Sequence, residues 1–149
     1  MNEINIWRSY KLFDDKLLLD MPYEYVLKDK LGNQYIYINS NKKGLVVSAL
    51  SGVSDSKRFL LSMFSGIKKI YEDISDPLIM KRMWLGAEQR MMQITANDKN
   101  VLYVFLDGGE QQYLMEFTYG GPCELEWKKE SEYILNTIRI KREEKTSGN

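Results

Sequence analysis

A chain of 149 residues is long enough to bury one core without staples, and 44% hydrophobic with 28% charged residues places it in the globular class. Lys plus Arg and Asp plus Glu each number 21, so no basic excess exists to hold a phosphate backbone, which argues against nucleic-acid binding. There is no histidine and one cysteine, Cys123, which removes Ser-His-Asp and Cys-His nucleophile arrangements, His-based zinc sites and any internal disulfide.

The N-terminal residues Met1 to Trp7 lack the basic start and apolar run of a signal peptide, so the chain as written is expected to be cytoplasmic unless a leader has been removed. Its longest apolar runs, such as Leu17 to Leu19, fall far short of a membrane span.

Trp7 to Phe13 and Lys16 to Asp20 read as two short strands around an acidic turn, Asp14-Asp15, and Pro22 stops the second. Gln34 to Ile38 and Gly44 to Leu50 form a further extended pair across the polar loop Asn39-Ser40-Asn41-Lys42-Lys43. Neither alternates cleanly, so both faces of that part of the sheet are expected to be partly covered. Ser54 or Asp55 is a suitable N-cap for a helix reaching about Asp73. Phe59, Leu60, Met63, Phe64, Ile67, Ile70 and Ile74 recur at spacings of three and four, an apolar stripe that must lie on a sheet.

After Pro77, Leu78 to Leu85 and Ala87 to Ala96 flank a bend at Gly86. Asn97-Asp98-Lys99-Asn100 makes a turn before a strand from Val101 to Leu106. Asp107-Gly108-Gly109-Glu110 reads as a hairpin connection whose glycines supply positive φ, with Tyr113 to Tyr119 pairing back. Gly120-Gly121-Pro122 then leads into a last helix from about Glu124 to Asn136, with Trp127, Ser131, Ile134 and Leu135 inward, followed by Ile138. One domain over residues 1–140 is expected, with a polar, disordered tail over 141–149.

This layout resembles the Mog1/PsbP-like fold. The features that carry the resemblance are paired N-terminal strands closed by Met21-Pro22-Tyr23, a hairpin, a long helix, a meander containing Gly86, a second hairpin, and a final helix running into Tyr133-Ile134-Leu135-Asn136-Thr137-Ile138-Arg139-Ile140. Within that group it is similar to small bacterial domains of the DcrB type. It departs from many of them in carrying Tyr23 and Tyr25 where a tryptophan often follows the early proline. The resemblance implies an α+β fold, an antiparallel β-sheet flanked by helices in an α/β/α sandwich, and a binding or assembly role. It transfers no catalytic residue.

Residue patterns that suggest chemistry have simpler explanations. Ser54-Asp55-Ser56-Lys57 and Ser65-Gly66-Ile67-Lys68 match Ser-x-x-Lys, but no companion motif accompanies them, and capping and solvated surface explain both. Asp14, Asp15 and Asp20, or Asp107 and Glu110, lack calcium-loop spacing and lie at turns. Gly108, Gly109, Gly120 and Gly121 lack the Lys-Ser/Thr of a phosphate loop. Cys123 stands at a helix start, where the dipole can activate a thiol, but a small packed residue is the simpler role. A small histidine-free enzyme would need two of Asp14, Asp20, Asp107, Glu110 or Glu116 to converge in a deep pocket.

What remains is a set of flexible apolar and aromatic residues. Met80, Met83, Trp84, Met91 and Met92, with Tyr103, Tyr113, Met115 and Tyr119, form the candidate partner-binding surface; the alternative role for the methionines is to fill the gap between sheet and helix. The expectation is a non-enzymatic binding or assembly module with no cofactor and no metal, whose partner is another protein or an apolar peptide segment, a homo-oligomer also being open. One specific version resembles the Eag-type secretion chaperones, which shield apolar effector segments.

Overall fold

The computed structural model describes residues 6–40, 42–84, 87–108 and 111–141, with the backbone alone for residues 84, 87 and 88. The elements in order are β1 (Trp7–Leu12), β2 (Leu17–Pro22), β3 (Val26–Leu31), β4 (Gln34–Asn39), β5 (Lys43–Leu50), α1 (Ser56–Lys68), β6 (Leu78–Trp84), β7 (Ala87–Ala96), β8 (Lys99–Asp107), β9 (Gln112–Tyr119), α2 (Glu124–Asn136) and β10 (Arg139–Ile140). A seven-stranded antiparallel sheet runs β3-β4-β5-β9-β8-β7-β6, and a three-stranded one runs β1-β2-β10.

The large sheet separates two apolar layers. On one side Tyr35, Leu45, Val104, Met115 and Phe117 meet Leu17, Leu19 and Met21 of β2 and Trp127, Ile134 and Leu135 of α2. On the other, Met92, Ile94, Tyr103 and Phe105 meet Leu60, Phe59, Met63 and Ile67 of α1. The α+β sandwich of the sequence reading is therefore present, with one outer layer shared between α2 and the small sheet. Because β8 is central and covered on both faces, Val101 to Leu106 are all buried, which accounts for its unbroken apolar run.

Several boundaries differ from the sequence reading. The helix expected to reach Asp73 ends at Lys68, because residues 73–75 bond across to the end of β7: the Asn97 N–H donates to Asp73 O at 2.8 Å and the Ser75 N–H to Thr95 O at 2.8 Å. The turn expected over four residues uses two, Asn97 and Asp98, with φ of 47° and 64°, and Ala96 pairs with Lys99. Gly108 does not have positive φ; a Cβ there would stand 2.6 Å from Gln111 O, so close approach is what requires glycine. Gly86, Gly109 and Glu110 lie outside the described residues. β3, with its charged Lys28-Asp29-Lys30, and the two-residue β10 were not foreseen.

The acidic turn is as expected, with Phe13, Asp14 and Asp15 all at positive φ. Asp55, within the first Ser-x-x-Lys match, caps α1, its Oδ1 accepting from the Arg58 N–H at 3.1 Å, and Ser65, the serine of the second, donates to Leu61 O at 3.2 Å within the helix. Lys141 belongs to the ordered chain, its N–H donating to Lys16 O at 2.8 Å; the remainder of the expected tail is outside the described residues.

Candidate functional site

The candidate partner-binding set does not form one face. Met92 and Tyr103 are buried under α1, while Tyr113, Met115 and Tyr119 are buried in the opposite layer. Met91, partly buried, packs with that opposite layer; Met80 is partly buried and Met83, at 63% exposure, is open on the edge strand β6. The Trp84 side chain is outside the described residues. Period-two alternation sends neighbours such as Met91 and Met92 to opposite sides of a sheet, so closeness in sequence does not assemble a surface here.

Of the carboxylates singled out in the sequence, no two of Asp14, Asp20, Asp107 and Glu116 share one of the clefts described below, and Glu110 lies outside the described residues. Asp14 and Asp15 are exposed at their turn, and Asp20 accepts from the Ser9 hydroxyl at 2.7 Å with Arg139 at 3.8 Å. Among the described residues no three of His, Cys, Asp and Glu group as metal ligands.

One end of the molecule is concave. The β4–β5 turn, held in place by Lys42 at φ 60°, supplies Lys42 and Lys43; the β9–α2 loop supplies Gly120 to Cys123, and the Gly120 N–H donates to Lys42 O at 3.1 Å to tie the two together. Three clefts meet there. The first, about 580 Å3, lies between Trp7, Pro22 and Glu24 and the α2 residues Glu126, Glu130 and Tyr133, with Lys43 on its wall. The second, about 380 Å3, includes Ser40, Pro122 and Cys123. The third, about 550 Å3, includes Ile67, Tyr71, Ile94, Tyr103 and Glu116. Lys43 and Glu126 line both the first and second, and Lys42 and Tyr119 both the second and third, so neighbouring clefts share walls around this end of the large sheet, the first on its α2 side and the third on its α1 side.

Paired charges and aromatic rings set the chemistry of the clefts. In the first cleft Lys43 Nζ lies 2.8 Å from Glu130 Oε2, which also accepts from the Tyr25 hydroxyl at 3.3 Å. Burial first, then Glu130, pushes the Tyr25 phenol well above its ordinary range. Trp7 and Tyr133 meet edge to face with centroids 6.3 Å apart. In the third cleft the Tyr103 hydroxyl donates to Glu116 Oε1 at 3.3 Å. Burial raises the Glu116 carboxyl, and the Tyr103 hydrogen bond partly offsets it. Cys123 is exposed at the α2 N-cap, where its side chain makes no capping bond.

Sequence reasoning missed Trp7, Lys42, Lys43, Tyr71 and Tyr133 as cleft residues. The only local signal was the polar loop ending Lys42-Lys43; the rest come together through pairings of distant strands.

This architecture is the Mog1/PsbP-like fold. Among solved structures, the Ran-binding protein Mog1p of Saccharomyces cerevisiae is similar at TM-score 0.66 and 8% identity, over 92% of this chain and 96% of that one. The cyanobacterial PsbP, CyanoP, of Synechocystis is similar at TM-score 0.69 and 10% identity, over 93% and 95%. A structure from Bacteroides thetaiotaomicron matches at TM-score 0.51 and 11% identity, over 91% of this chain and 48% of its own. At these identities the matches define the fold. No family model and no curated protein matches the sequence.

Proposed function

We propose that this chain is a non-catalytic protein-binding module whose partner lies across the clefts at the Lys42–Lys43 end. The observation that carries the reading is that three neighbouring clefts share lining residues around the Lys42–Lys43 end, a recessed surface lined by aromatic rings and by both signs of charge rather than one deep pocket. Aromatic anchors beside satisfied charge pairs are the residue types that dominate protein interfaces. Among the described residues no three of His, Cys, Asp and Glu group as metal ligands, and the fold is shared with Mog1p, described as a Ran-binding protein. No helix among the described residues is long and apolar enough to cross a membrane.

The test uses the native thiol. Cys123 lines the second cleft and is exposed, so a bound partner slows its alkylation. Proteins captured by the wild-type chain are compared with those captured by Tyr133→Ala and Lys129→Glu, both exposed positions where the fold tolerates change. Loss of capture and of thiol protection in the variants supports the reading; equal capture and protection sinks it.

A second reading, shielding of an apolar segment in the manner of the Eag-type chaperones, is favoured by edge strand β3 and its neighbour β4, which expose Val26 at 60%, Leu31 at 53% and Ile38 at 46%. It expects an apolar peptide to protect the β3 amides from hydrogen exchange; unchanged exchange there removes it.

A further inference from the structure

Glu116 projects from mid β9 on the same sheet face as Leu114 and Thr118, the residues between the buried Tyr113, Met115 and Phe117. It is partly buried, it accepts from Tyr103, and among the described residues no lysine or arginine nitrogen lies within ion-pair distance of it. Lys42 and Lys99, which also line the cleft, are exposed. A desolvated carboxylate with one neutral donor and no countercharge is costly to keep, and burial indeed raises its proton affinity. Leading to it are the partly buried Ile67 and the exposed ring of Tyr71, over a floor that includes the buried Ile94 and Val101; Tyr71 is close enough to Tyr103 to influence its phenol.

We propose, resting on the binding-module reading above, that this cleft receives an arginine side chain of the partner protein, its guanidinium against Glu116 and its aliphatic stem along Ile67 and Tyr71. Three features select that group. The cleft is lined by two carboxylates, Glu116 and the exposed Asp98, and by the Tyr103 phenol, with no group of three acids among the described residues, so it matches an organic cation rather than a metal ion. The planar guanidinium presents a fork of donors to both carboxylate oxygens and stacks on an aromatic face such as Tyr71. The apolar approach covers a stem that a small hydrated cation lacks. The missing countercharge is thus supplied on binding, and the cation removes the cost that the free protein bears.

The experiment titrates the chain with N-acetyl-arginine methylamide and, separately, with the neutral N-acetyl-norleucine methylamide, following amide and aromatic chemical shifts by NMR. Expected are saturable shifts in the millimolar range at Tyr103, Glu116 and Tyr71 with the arginine probe alone, weakened at least fivefold in Glu116→Gln and several-fold in Tyr71→Ala. Tyr71 is exposed, so its truncation keeps the readout if Glu116→Gln perturbs the fold. Absent shifts, equal shifts with the neutral probe, or full binding by folded Glu116→Gln overturn the inference. The Tyr133 and Lys129 variants lie in the first cleft, so a failed titration beside their loss of partner capture refutes the arginine site alone.

Discussion

The hydroxyl of Tyr119 accepts a 2.8 Å hydrogen bond from the backbone N–H of Cys123, and the same phenol occupies the space a side chain at Gly121 would need. The last residue of β9 thereby fixes the loop that starts α2, a helix whose N-cap residue makes no side-chain bond of its own. Gly121→Ala forces the Tyr119 ring aside, and overpacking of this kind costs about 1–3 kcal/mol. Tyr119→Phe removes the acceptor and costs about 1 kcal/mol. Urea unfolding followed by far-UV circular dichroism checks both; wild-type midpoints in both variants would refute the role.

Glu116 makes neutral-pH stability rise when its charge is removed. Its carboxyl binds a proton more tightly in the folded than in the unfolded chain, so folding is favoured at low pH and loses that contribution as pH rises through the raised value. Tyr103, Tyr71, Asp98, Lys42 and Lys99 line the same cleft. Glu116→Gln is expected to have a higher Tm than wild type at neutral pH, the gain shrinking toward the ordinary glutamate pKa of about 4.3. A gain that grows on acidification contradicts this.

Alkali unfolds the protein through its tyrosines. Burial, then Tyr10 and Tyr35, pushes Tyr37 up to about 12, and Tyr25, Tyr103 and Tyr113 are raised as well, burial being the first cause in each. Their contribution is complete below the unfolded tyrosine value of about 10 and is lost as pH climbs toward the folded values. Tyrosinate absorbance of these four is expected to appear together with loss of circular dichroism. Their ionisation near the unfolded value in a still-folded chain would contradict the burial described.

Trp127 is 1% exposed and stacks on Tyr119 at 5.9 Å, yet its indole Nε1 has no hydrogen-bond partner among the described residues. Its stabilisation is therefore apolar. Trp127→Phe discards an unsatisfied donor and is expected to cost well under the roughly 3–5 kcal/mol of Trp127→Ala. Similar denaturation midpoints for the two variants would show that a polar interaction is being lost.

The helices and central strands were legible because their sequence patterns are local. Trp127, Ser131, Ile134 and Leu135 were placed inward and are buried there, and Asp55 caps α1 as one of the two residues expected. β3 was illegible because an edge strand open on both faces needs no apolar alternation: all six of its residues are exposed. β10 was hidden for another reason, since two residues carry no pattern and their pairing with Leu17 and Leu18 is set by tertiary contact. The candidate surface was misleading where Met91 and Met92 were read as neighbours, although the pleat sends them to different layers. The clefts depend on Trp7, Lys43, Tyr71 and Tyr133 being brought to them across long sequence distances, which composition cannot reveal.

The small sheet joins Arg139 and Ile140 to Leu18 and Leu17, and the Asp20 N–H donates to Thr137 Oγ1 at 2.8 Å. During synthesis β2 emerges early but keeps one edge unpaired until more than a hundred further residues have followed. Closure of so large a loop is slow relative to local hairpins, and the exposed edge is a site for a chaperone or for a mispaired neighbour in the interval. The last strand among the described residues is therefore a latch, and the lifetime of the unlatched chain governs its risk of aggregation.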